Sequence, residues 1–123
     1  MKDISKTLEY KGKEYKLVFD LNVMQAIQEE YGSLDKWAEL TEGKDGEPNA
    51  KAVIFGFTQM LNEGIDIENE EKGYTSPEYP SYMKPLTLKQ VGRMLTAIGM
   101  DAAAQTMQEA VVDSTKGDDS KNE

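Results

Sequence analysis

The chain has 123 residues, with 14 Lys and Arg against 23 Asp and Glu for a formal charge of −9, and it contains no Cys and no His. Those counts exclude disulfides, thiolate and imidazole metal sites, Cys nucleophiles and Ser-His catalysis. The acidity argues against nucleic-acid or anionic-membrane binding. The length suits one domain, in which folding buries roughly two thirds of the unfolded surface.

The first element, from Leu8 to Phe19, reads as a hairpin. Leu8 and Tyr10, then Tyr15, Leu17 and Phe19, alternate with polar residues at the period of a half-buried strand, and Gly12 supplies the positive φ of a tight turn. Two strands alone are marginal in water, so their apolar face must lie on helices. A helix follows, capped by Asp20 or Asn22, with Leu21, Met24, Ile27 and Tyr31 on one face and Gly32 ending it. Ser33 caps a second, short helix carrying Leu34, Trp37, Ala38 and Leu40, and Thr41 to Pro48 reads as a loop.

Residues 49–62 are apolar nearly all the way round, which predicts the central, most buried helix. Gly56 inside it marks the close approach of a neighbouring helix. The acidic stretch NEGIDIENEEKG comes next, and 65–85 is expected to be a long connection with three prolines and three tyrosines. After it, Thr87 and Gln90 form a capping-box pair. Leu88, Val91, Leu95 and Ile98 make one face of that helix, and Gly99 stops it. A last helix carries Met100, Ala103, Ala104, Met107 and Val111 on one side. The expected fold class is therefore α+β, mostly helical: one N-terminal hairpin on about five helices, with a single domain over 1–112 and a polar, disordered tail over 113–123.

Signals for chemistry are weak. No two glycines stand two apart, as a dinucleotide fingerprint requires, and no P-loop spacing is present. Asp66, Glu68 and Glu70 alternate like the first calcium-loop ligands, but Glu71 stands where that loop needs Gly and Pro77 where it needs a bidentate Glu. Glu29, Glu30, Asp35 and Glu39 fall on exposed faces with nothing to shift a pKa. The expectation is no enzyme, no cofactor and no metal. Five of the seven methionines (24, 60, 94, 100, 107) fall on predicted apolar faces. Two readings stay open for them: core filler, or an adaptable groove for a partner helix.

The stretch FDLNVMQAIQEEYGSL (19–34) after a KGKEYKL hairpin, with PLTLKQVGRML (85–95) after an acidic connection, resembles the tail assembly chaperones of long-tailed phages and gene transfer agents. The resemblance covers about 7–112, and the 65–85 connection is longer than that family's pattern. It implies a non-enzymatic protein of the host bacterial cytoplasm that coats the tape-measure protein, keeps it soluble, helps recruit tail-tube subunits and is absent from the virion. It further implies the unextended form, without the second domain that frameshifting adds in many phages. The resemblance leaves room for a homo-oligomer. Under this reading Met24, Ile27, Tyr31, Met94 and Met107 supply part of the partner surface. Two other readings are an acidic inhibitor that mimics DNA and a structural head-tail connector.

Overall fold

The computed structural model describes residues 6–43 and 46–116. It consists of an antiparallel hairpin, β1 (Lys6–Tyr10) and β2 (Lys13–Leu17), and five helices: α1 (Leu21–Tyr31), α2 (Leu34–Glu42), α3 (Ala50–Glu71), α4 (Leu88–Ile98) and α5 (Met100–Lys116). This is the expected α+β, mostly helical class. Lys11 and Gly12 both have positive φ, 53° and 77°, so the two-residue turn matches the twist of the strands it joins. Pairing of Leu8 with Tyr15 and of Lys6 with Leu17 puts Leu8 and Leu17 on the buried face.

The predicted caps hold. Asp20 accepts from the Val23 amide and Ser33 from the Lys36 amide, while Gly32 and Gly99 close α1 and α4. Thr87 and Gln90 make both bonds of the capping box. On α1 the buried positions are Val23 and Ile27, whereas Leu21, expected on the apolar face, is 78% exposed.

α3 packs against β2 and against all four other helices, so its surface sets the fold. Gly56 lies under the ring of Trp37 from α2 and beside Met107 of α5: a Cβ there would collide with the indole and stand 2.8 Å from the Met107 sulfur. Trp37 is fully buried, and its indole N–H donates to the Ala52 carbonyl at 3.0 Å, which pins the ring over the glycine. The close approach expected at Gly56 is therefore present. Two turns further on, Gly64 lets the hairpin lie directly on the helix, since a Cβ there would be 2.6 Å from the Lys16 carbonyl oxygen. The Val18 amide donates to the Met60 carbonyl at the same contact.

Two of these expectations need correction, the end of the central helix and the start of the tail. The central helix does not stop near residue 62 but continues to Glu71, because Leu61, Gly64, Ile65 and Asn69 form a buried stripe at helical spacing within the acidic stretch. Asp66, Glu68 and Glu70 thus lie on a helix and cannot wrap an ion as a calcium loop does. Residues 113–116 are not tail: they complete α5, where Asp113 pairs with Lys6 at 3.2 Å and the Ser114 hydroxyl donates to the Phe19 carbonyl at 2.8 Å. The rest of the expected tail, 117–123, lies outside the described residues.

Glycine-to-alanine changes on helices separate packing from propensity. Alanine is favoured over glycine in a helix by about 1 kcal/mol, and at Gly92 of α4 the added Cβ meets only Ile54 Cδ1 at an ordinary 3.6 Å. Gly92→Ala is expected to raise stability by up to about 1 kcal/mol. Gly56→Ala is expected to lower it by about 2 kcal/mol, because the pinned indole cannot yield. Urea unfolding of both variants checks the opposite signs.

Candidate functional site

The residues expected to face a partner are mostly core. Ile27, Met94 and Met107 are 0%, 3% and 0% exposed, so the surface assigned to them is withdrawn. The first half of α3 is apolar nearly all round and takes up the apolar stripes of α1, α4 and α5. Met24 and Tyr31 are half-buried and pack against the same core. Tyr31 sets its ring edge-on to Phe55, centroids 5.6 Å apart. Its buried hydroxyl has no hydrogen-bond partner among the described residues, and burial, with Glu30 adding to it, pushes its pKa above the usual phenol value.

What remains open is a groove of about 780 Å³ between α3, α4 and the end of α1. Its apolar lining comes from Ile54 and Phe55 of α3 and from Leu88 and Gly92 of α4. Leu88, expected on the buried face, is 54% exposed, because it sits in the first turn of α4, at the open edge of the packing made by Val91, Met94 and Leu95. Lys51, Lys89, Arg93 and Glu30 stand around this lining. Lys51 pairs with Glu30 at 3.5 Å, whereas the side chains of Lys89 and Arg93 have no ion-pair or hydrogen-bond partner among the described residues. Three cations against one carboxylate make the rim net positive on a chain whose total charge is −9.

A feature with no local sequence signature holds the wall of this groove in place. The Asn62 side chain donates to the Leu86 carbonyl at 3.0 Å and accepts from the Leu86 amide at 2.7 Å. Asn69 does the same to Met83, at 2.9 and 3.1 Å. Each amide thereby satisfies both backbone groups of one residue, as a neighbouring strand would. The spacings agree: seven residues of helix advance about 10.5 Å, and three residues of extended chain about 10 Å. The stretch from Met83 to Leu86 is therefore laid back along α3, and it delivers Thr87 to the start of α4.

A second, smaller cavity of about 230 Å³ lies between β2, the end of α3 and the connection. Among its polar groups, Asn69 is bonded to Met83 and Lys72 to Glu68, each at 2.9 Å. Among the described residues no cluster of three or more Asp and Glu could hold a metal ion, and no helix is long and apolar enough to cross a membrane. No protein-family model, no curated protein and no solved structure matches the chain.

Removing either asparagine side chain strands two backbone groups of the connection, each buried unsatisfied group costing about 1–3 kcal/mol. Asn69→Ala is expected to lose about 2 kcal/mol and Asn62→Ala somewhat less, since Asn69 is the more buried of the two. Chemical denaturation gives the ranking. Equal stability of Asn69→Ala and the parent would show that the connection does not depend on the clamp.

Proposed function

We propose that this chain is a tail assembly chaperone of a long-tailed phage or gene transfer agent, acting in the host bacterial cytoplasm. In this reading it binds the tape-measure protein, keeps that long apolar rod soluble and helps bring tail-tube subunits to it, with no catalytic step of its own. The observation that supports it is the open apolar groove between α3 and α4 on an otherwise acidic molecule. Such a groove can receive the apolar face of a helix. The charge of −9 resists self-association of a loaded complex. The hairpin, the capped α1 and the Thr87-capped α4 are the segments that carry the resemblance to that family.

Affinity capture of the tagged chain from phage-producing cells, followed by mass spectrometry, tests this reading. The expected result is a very long, helix-rich tape-measure protein with tail-tube subunits, and no trace of the chain in purified particles. Recovery of a host nuclease, polymerase or repressor instead would replace it with an inhibitor. Retention of the chain in particles would replace it with a connector.

A further inference from the structure

We infer that the α3–α4 groove takes one amphipathic helix whose apolar stripe lies on Ile54, Phe55 and Leu88 and whose flanks carry carboxylates. The inference deepens the chaperone reading and rests on it only for the source of the helix.

The shape comes first. On α4, Leu88, Gly92 and Thr96 follow one another at intervals of four, a stripe of about 12 Å at 1.5 Å per residue, or two helical turns. Gly92, in the middle, has no side chain, and Ile54 Cδ1 of α3 lies against it, 3.6 Å from where a Cβ would stand, so the two helices meet there along the groove. Across from it, Ile54 and Phe55 of α3 form the other apolar side. Leu88, also in the lining, is 54% exposed. The position is rigid, because the Thr87–Gln90 capping box and the Asn62–Leu86 clamp fix the residues on either side.

Directional polar groups are missing from the lining. The Thr96 hydroxyl already donates to the Gly92 carbonyl at 2.8 Å. Pockets for small molecules combine an apolar lining with a few convergent hydrogen-bonding groups, and this groove offers only an apolar strip beside long cationic side chains. Such a surface reads a stripe and its flanks.

Charge then selects the flanks. Lys89 and Arg93 stand one turn apart on α4, both without a partner among the described residues. Lys51 stands on the α3 side and shares its charge with Glu30. A helix with carboxylates beside its apolar stripe would pair with Lys89 and Arg93, whereas a lysine-flanked helix would be repelled. A second copy of this chain would have to expose such a stripe, yet among the described residues its helical stripes lie in its own core, and Leu21, Leu40 and Val112 are single exposed positions on three different helices.

The test uses two designed alanine-based helical peptides with leucines at helical spacing, one flanked by glutamates and the other by lysines. Each is titrated into the full chain at low ionic strength and followed by fluorescence anisotropy. The glutamate peptide is expected to bind about tenfold tighter than the lysine peptide, the sum of two or three partly exposed ion pairs. Leu88→Asp is expected to weaken it by about tenfold. The double variant Lys89→Glu/Arg93→Glu is expected to invert the preference, a gain of binding that misfolding cannot produce. Absence of binding, equal binding of both peptides, or a preference that survives the double charge reversal overturns the inference. So does a concentration-dependent dimer abolished by Leu88→Asp, which would give the groove to a second copy. Repeating the cellular capture with Leu88→Asp separates the two readings. Loss of the tape-measure protein supports both, and its retention overturns the groove while sparing the chaperone. Charge-selective peptide binding with no tape-measure protein captured by the parent chain does the reverse.

Discussion

At Gly56 the central helix has no side chain, and the indole of Trp37 occupies the space. The ring is held there by its own hydrogen bond to the same helix, one turn earlier. This contact brings α2 against α3, and Met107 of α5 reaches the same spot from another side. Gly64 repeats the device for the hairpin, whose backbone at Lys16 comes directly against the helix there. Close backbone approach at two points lets a molecule of this size bury Trp37, Phe57, Leu17 and Met107 completely. The glycines' unfavourable helix propensity is small beside that packing.

Much of this is written locally in the sequence. The hairpin turn, the Asp20 and Ser33 caps, the Thr87–Gln90 pair and the stops at Gly32 and Gly99 each depend on residues within a few positions of one another. Their chemistry can therefore be read without the fold. Gly56 could be read as well, because a glycine amid apolar residues on every side of a helix leaves room for a neighbour to pack close. The continuation of α3 to Glu71 could not. Past Leu61 its buried stripe holds Gly64 and Asn69 beside Ile65, and the two polar or absent side chains make sense only against Lys16 and Met83, far away in the chain. The same holds for Asn62 and Leu86, 24 residues apart.

The groove could not be placed from the sequence. Choosing the residues with the clearest helical periodicity selects those most needed by the core, and Ile27, Met94 and Met107 went there. The groove is formed instead by what the core leaves over. Leu88 belongs by spacing to the stripe of Val91 and Leu95, yet it sits in the first turn of α4, at the open edge of that packing. Ile54 and Phe55 lie in a run where every face is apolar, so only the placement of α1 and α4 decides which of them stays half open. Lys89 and Arg93 carry no signal in sequence, since unpaired surface cations are common. They gain meaning by standing beside that opening.

The core organised on α3 and the groove that this core leaves uncovered are two sides of one arrangement. The most direct measurement is methyl NMR of the chain labelled at Ile, Leu and Val, with and without a helical fragment of the tape-measure protein. The methyl resonances of Ile54 and Leu88 are predicted to shift while those of Leu17, Leu61, Val91 and Leu95, all in the core, stay in place. Shifts confined to the hairpin or α2, with Ile54 and Leu88 unmoved, would contradict a groove-bound partner.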